Sequence, residues 1–379
     1  MDFGVHAILK KQTSTLLNLN TISMKCFHCA KCGSQIFFEN DRCLGCGSSL
    51  GMVPETLELC ALEKVAEDQW RPLGTKSDGK IYRPCANSKQ SGVCNWLVPM
   101  EDANVWCLAC RLNEVIPDLV QPKNLARWKK LELAKRRCIY TFNRLGLPVQ
   151  NEPGGQRAAL RFKFLEDKDG VVVKTGHENG VITINIAEAD DDERERRRVN
   201  LHEPYRTLVG HIRHESGHYF WDLLLENSPE LPRFRELFGD ETVAYDKALE
   251  SYYQQGPPLD WMNKAITPYA CSHPWEDWAE SWAHYLHIVD TLDTAANFGI
   301  SIKENVPPQT EPVTIIYNED MDFERLLTEW TPLTCTLNVI NRGMGLADIY
   351  PFVITPPAIE KLRFIHDLIL KVRKAGQPK

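Results

Sequence analysis

The sequence predicts an α+β chain in two unlike parts. Short β-hairpins rich in cysteine come first, and a longer, mainly helical body with a small β-sheet follows. Three observations carry this. Ten of the 13 cysteines fall within the first 110 residues. From about residue 146 onward cysteine nearly vanishes, and apolar residues recur at the period of an α-helix. One segment, Val181-Ile182-Thr183-Ile184-Asn185-Ile186, alternates and is β-branched, as a strand with one polar face requires. The length of 379 residues fits two or three domains, and 43% hydrophobic content is enough for a packed core. No run of 18 apolar residues occurs, so no membrane span is expected. The formal charge of −7 gives no overall pull toward nucleic acid or anionic lipid.

Residues 1–23 read as a disordered extension. Lys10 and Lys11 follow the short apolar stretch there, the reverse of a signal-peptide layout, and Met24 opens the next segment directly, as a start codon would. An odd number of cysteines, bunched as C-x-x-C pairs, does not resemble a secreted disulfide framework, and the expected location is the cytoplasm.

Residues 24–60 carry Cys29-x2-Cys32 and Cys43-x2-Cys46, each pair followed by a glycine, Gly33 and Gly47. Glycine permits the tight turn of a zinc knuckle. Four thiolates make a closed tetrahedral site that stabilises a segment too short to bury a core. Cys26 and His28 read as bystanders. Residues 61–120 carry a second, wider set, Cys85, Cys94, Cys107 and Cys110, expected to hold another structural zinc. Cys60, Cys138, Cys271 and Cys335 are scattered, and core packing is expected for them. The body spans 121–379, with helices expected over 123–145, 204–226, 274–292 and 356–374. Pro274 and Pro356 or Pro357 stand at favoured first positions. Lys123, Arg127, Lys129, Lys130, Lys135, Arg136 and Arg137, with Arg194 and Arg196–Arg198, read as a charged, solvated face in preference to a nucleic-acid surface.

The chemistry centres on His214-Glu215-Ser216-Gly217-His218, an H-E-x-x-H sequence in a helical pattern. Positions four apart lie about 40° from each other around a helix axis, so both imidazoles reach one metal ion. Glu215 sits beside that ion, where a base removes a proton from water. A catalytic zinc needs a third protein ligand. Glu276 and Glu280 lie on one face of the 274–292 helix, among Trp275, Trp278 and Trp282, where a buried carboxylate needs a cationic partner. Glu276 is preferred as the ligand, with Glu280 accepting a hydrogen bond from a ligating imidazole. His211 reads as a polar neighbour and Asp222 as an exposed carboxylate. Tyr269, His273, His284 and Tyr285 are candidates to stabilise an oxyanion. A peptide substrate laid along an exposed edge at the 181–186 strand is a further expectation.

The cysteine pairs, "PYRTLVGHIRHESGHYFWD" at 204–222, "HPWEDWAESWAHYLHIVDTLDTA" at 273–295 and "NRGMGLADIYPF" at 341–352 together resemble the zinc-binding metallopeptidases with an N-terminal zinc-ribbon domain. More broadly the chain looks like a gluzincin, whose pattern is H-E-x-x-H with a downstream glutamate. The resemblance runs from Met24 over nearly the whole chain, and residues 1–23 depart from it. It implies a zincin-like metallopeptidase domain, with His214, His218 and Glu276 as zinc ligands and Glu215 as general base. The implied cofactors are one catalytic and one or two structural zinc ions. The implied partner is a peptide or protein substrate, with the ribbon free to contact protein or nucleic acid. The rival reading is a non-catalytic ribbon protein on an inactive zincin scaffold. Hydrolysis of a non-peptide amide is a weaker third.

Overall fold

The computed structural model describes residues 26–76, 79–149, 159–168, 170–200, 206–303 and 311–376. The N-terminal extension read at 1–23, Met24 and the start of the 204–226 helix lie outside the described residues. The first cysteine set sits on a two-stranded hairpin, β1 (Cys26–His28) and β2 (Gln35–Phe37), and the turn after it. Both knuckle glycines adopt the left-handed conformation, Gly33 at φ 76° and Gly47 at φ 71°, as the spacing requires. Five antiparallel strands follow in chain order: β3 (Leu50–Val53), β4 (Glu58–Ala66), β5 (Gln69–Pro72), β6 (Tyr82–Pro84) and β7 (Leu97–Pro99). The short helix α1 (Ala86–Ser91) joins β6 to β7 and opens on Cys85.

A second sheet has the order β10-β11-β9-β8. Strands β8 (Asn113–Val115), β9 (Arg161–Leu165) and β11 (Val181–Asn185) are parallel neighbours, while β10 (Gly176–Glu178) runs antiparallel along β11. β4 runs through residue 60 and β8 pairs with β9, so hydrogen bonds cross both of the divisions drawn from cysteine spacing. The strand read at 181–186 is internal to the sheet. The edges are β10 and β8; β10, which borders the cleft, is not apparent from the sequence because Gly176-His177-Glu178 is short and has no alternating apolar pattern.

The long helix α2 (Asn124–Arg144) lies close to its expected span. After it come α3 (Asp191–Asn200), α4 (Leu208–Leu224), α5 (Leu231–Phe238), α6 (Tyr245–Gln255), α7 (Pro274–Asn297), α8 (Phe323–Gly343) and α9 (Pro356–Gly376). α4 starts where the Thr207 hydroxyl caps the Gly210 N–H at 3.0 Å. α7 starts where His273 Nδ1 caps the Trp275 N–H at 3.1 Å, with Pro274 in the first turn. It runs to residue 297 because Ile288, Val289, Leu292 and Ala295 continue its buried face. Among the described residues, no helix is long and apolar enough to cross a membrane.

The cysteine-rich part is bolted to the body through α2. Glu132, fully buried, accepts from Asn113 Nδ2 at 2.6 Å, Trp128 Nε1 at 3.1 Å and Lys135 Nζ at 2.9 Å, and Cys110 Sγ lies 4.0 Å away. Lys135 is equally buried and stands over the rings of Phe162 and Phe164. Arg136 donates to Asn95, which itself donates to the Phe38 carbonyl at 2.8 Å. Phe38 and Tyr140 meet edge to face at 5.5 Å.

Removing one member of a buried ion pair strands the other charge, so Glu132→Ala is expected to cost about 3–5 kcal/mol in a denaturant titration. The double change Glu132→Leu, Lys135→Met is expected to recover most of that loss. A single variant as stable as the double would show that the pair does not hold α2 in place.

Candidate metal centre

α4 and α7 pack with almost no space between their backbones. A Cβ on Gly217 would meet the Ala279 Cα at 2.8 Å and the Trp282 Cβ at 3.3 Å. Two indoles pin the contact. Trp278 Nε1 donates to the Gly217 carbonyl at 2.7 Å, and Trp282 Nε1 donates to Ser216 Oγ at 3.2 Å. Arg213 on α4 pairs with Asp290 on α7, which also accepts from Thr141 on α2 at 2.8 Å. The two middle residues of the H-E-x-x-H sequence are thus packing and hydrogen-bonding positions.

This packing brings His214, His218 and Glu276 together, with one candidate ligand atom from each lying within 4.8 Å of the others. His214 Nε2 stands 3.0 Å from Glu276 Oε2, and His218 Nε2 stands 3.5 Å from Glu276 Oε1. Glu276 is buried, and its Oε2 accepts no well-formed hydrogen bond among the described residues. Glu280 lies on the far side of His214, its Oε1 2.7 Å from Nδ1, while Thr267 Oγ1 donates to its other oxygen at 2.7 Å. Burial alone would depress His214, but the carboxylates of Glu276 and Glu280 hold it well above the usual imidazole value. Burial would likewise raise Glu276, yet the imidazoles of His218 and His214 hold it well below the carboxylate range. Two imidazoles and a buried carboxylate so arranged favour a cation between them, and they fit zinc in donor type and number. Glu215 is buried beside them, and burial pushes its carboxyl above the ordinary range against the pull of both imidazoles.

The cluster opens on a cavity of about 660 Å3, walled on one side by the β10 edge. Two neighbours escaped the sequence reading. Tyr245, on α6, donates its hydroxyl to Glu276 Oε1 at 2.6 Å. His177, on β10, lies nearly parallel to His218 at 6.4 Å. Burial, and the nearby His218, push His177 down to about 4, so it is neutral. Its Nε2 faces the Gly180 N–H at 3.1 Å and must accept, which puts the proton on Nδ1. Neither residue lies near the H-E-x-x-H sequence, and no local pattern marks them.

Of the oxyanion candidates, Tyr269 lines the cavity. His273 is spent on capping α7 and on the Val243 carbonyl. Tyr285 is buried against His366, and His284 Nδ1 faces the Tyr350 hydroxyl at 2.7 Å. His211 lies 3.8 Å from Glu188, outside the ligand cluster, and Asp222 lines the cavity wall.

Both cysteine sets form four-thiol clusters. In the first, Cys29 and Cys46 are 3.7 Å apart and Cys32 and Cys43 are 3.6 Å apart. In the second, all four cysteines are buried and backbone N–H groups point at sulfur, Cys107 to Cys85 at 3.3 Å and Cys110 to Cys107 at 3.4 Å. Both sets have the donor type and number of a closed, structural zinc site. Cys60 and Cys138 are buried as expected, whereas Cys335 is exposed on α8. The basic run of α2 and α3 is largely neutralised. Arg127 pairs with Asp190, Arg137 with Glu39, Arg196 and Arg197 with Glu193, and Arg198 with Glu195.

Comparison with known proteins agrees with this geometry. A family described as "Putative zinc-binding metallo-peptidase" matches residues 124–368, and a zinc-ribbon domain matches residues 26–121. Three uncharacterized proteins, one of Mycobacterium bovis and two of Mycobacterium tuberculosis, are each 40% identical over 360 residues. Each alignment covers 94% of this chain and 98% of the relative. No solved structure matches the chain.

The close approach at Gly217 makes a sharp test. Alanine ordinarily gains roughly 1 kcal/mol over glycine inside a helix. Here the added methyl must push the Ala279 backbone away, so Gly217→Ala is expected to destabilise by about 1–3 kcal/mol in chemical denaturation. A stabilised variant would mean that the two helices are free to part.

Proposed function

The chain belongs to the zinc-binding metallopeptidase family with an N-terminal zinc ribbon, and on that premise we propose that it hydrolyses peptide bonds, with His214, His218 and Glu276 as zinc ligands and Glu215 as general base. The observation that carries the reading is the convergence of three donors from two helices. Tetrahedral zinc with bonds near 2.0–2.1 Å sets its ligand atoms about 3.3 Å apart. One donor atom from each residue lies within 4.8 Å of the others, close enough for a single ion to draw all three to that spacing by small side-chain shifts.

Zinc held there supplies a Lewis acid that brings the pKa of a water toward ~7 and polarises the scissile carbonyl. The surrounding side chains have separate tasks. Glu215 takes the proton from the attacking water and returns it to the leaving nitrogen; its buried position favours a carboxyl that both accepts and releases a proton. Glu280, anchored by Thr267, accepts the Nδ1–H of His214 and so keeps Nε2 unprotonated and aimed at the metal. Tyr245 turns its hydroxyl from Glu276 to the developing oxyanion, with Tyr269 close by. The β10 edge offers backbone groups to an extended substrate. The two cysteine clusters hold structural zinc and take no part in hydrolysis.

Elemental analysis of the purified chain is expected to give three zinc per molecule, one for each cluster. Glu215→Gln is expected to keep all three and to lose peptide hydrolysis by about 10²–10⁴-fold. Glu280→Ala is expected to weaken zinc at the histidine site by about 10–100-fold, measured by chelator competition, and to leave the cysteine sites loaded. Equal hydrolysis by wild type and Glu215→Gln, or only two zinc per chain, would overturn the reading.

A further inference from the structure

A second hollow, of about 280 Å3, opens on the same reacting centre. His214 and Glu215 line both it and the larger cavity. The two divide the length of α4. The larger follows its C-terminal turns past His218 and Asp222, and the smaller follows its first turns past Gly210 and His211.

Their walls are unlike. The larger has no lysine or arginine among its described lining residues and carries Glu178, Asp222 and Glu226. The smaller is walled by the rings of Tyr252, Tyr253, Tyr269, Tyr350 and Phe352, with Ala283 of α7 leaving space between them. Two guanidinium groups also reach it, but both are committed. Arg206 donates to the buried Glu188 at 2.8 Å, and Arg213 pairs with the buried Asp290. His284 is engaged by Tyr350. Glu280, committed to His214 and Thr267, completes the lining with His211, His287 and three threonines, yet more of the exposed wall is apolar than polar, and it attracts apolar groups. A cavity of roughly 150 Å3 is enough for benzene, so this hollow holds one large side chain and not a longer stretch of peptide.

Resting on the peptidase reading, we infer that the smaller hollow is the specificity pocket, and that it seats a bulky apolar side chain, above all an aromatic one, on the residue adjoining the scissile bond. Glu215 and His214 at its mouth place that residue next to the attacked carbonyl. Tyr253 and Ala283 set its width.

The test uses the zinc-loaded full chain and two hydroxamate probes that grip zinc, one with a benzyl and one with a methyl side chain, compared by calorimetry. The benzyl probe is expected to bind at least about tenfold tighter. Ala283→Phe fills the hollow and is expected to bring that ratio near one. Tyr253→Ala, on the exposed face of α6, is expected to reduce it without disturbing the fold, with the melting temperature and zinc content as controls. Equal or absent binding of the two probes, or a ratio that neither variant changes, overturns the pocket. A parallel digest of mixed peptides, mapped by mass spectrometry, is expected to show cleavage beside Phe, Tyr, Trp and Leu. Cleavage indifferent to side chain sinks the pocket and leaves the peptidase standing. A benzyl preference with no peptide cleaved sinks the peptidase and leaves the pocket standing.

Discussion

Everything at the centre depends on two helices touching without side chains between them. Gly217 has no Cβ to hold α7 away, and Ala279 presents only a methyl, so the backbones approach as closely as helices can. Only at that distance does a short glutamate side chain on α7 stand 3.0 Å from a histidine on α4. Larger residues at either position would separate the donors even if every donor were kept. The flanking indoles convert closeness into register, because each donates to one specific atom on α4. Donor geometry and helix packing are here the same constraint seen from two sides.

Much of this was legible in the sequence because it is local. The i, i+4 histidines, the C-x-x-C-Gly knuckles and Pro274 are short-range statements about backbone geometry, and the α4 and α7 helices lie close to where periodicity put them. The pairing of Glu276 with the histidines was also reachable, since acidic residues among tryptophans demand a buried cation. What stayed hidden is what tertiary folding alone brings near. Tyr245 is 31 residues from Glu276 on a helix with no marking pattern, and His177 comes from a three-residue strand. The edge of the sheet was assigned to the wrong strand for the same reason. Alternation reveals that a strand has two faces, not which neighbours it pairs with.

The cysteine-rich part is more than an appendage on the helical body. Glu132 is bonded at once to Trp128 and Lys135 on its own helix and to Asn113 on β8, with Cys110 of the second cluster beside it. α2, which carries this knot, also reaches Asp290 through Thr141, and Asp290 holds Arg213 one residue before His214. The second cysteine cluster, α2 and the histidine helix are therefore joined by polar contacts made at two points along α2. Cysteine spacing alone could not show this, because the partners on α2 lie outside the cysteine-rich segment.

α6 differs from its surroundings in one respect. None of its residues is buried, yet it contributes Tyr245, Tyr252 and Tyr253 to the cleft. The helices α4 and α7 behind it carry residues that also hold up the core and so cannot be exchanged freely. A wall that carries no share of the core is open to substitution at little cost to folding. Among relatives, divergence in what is bound can accumulate at Tyr252 and Tyr253 of this helix while the pair carrying His214, His218 and Glu276 stays fixed.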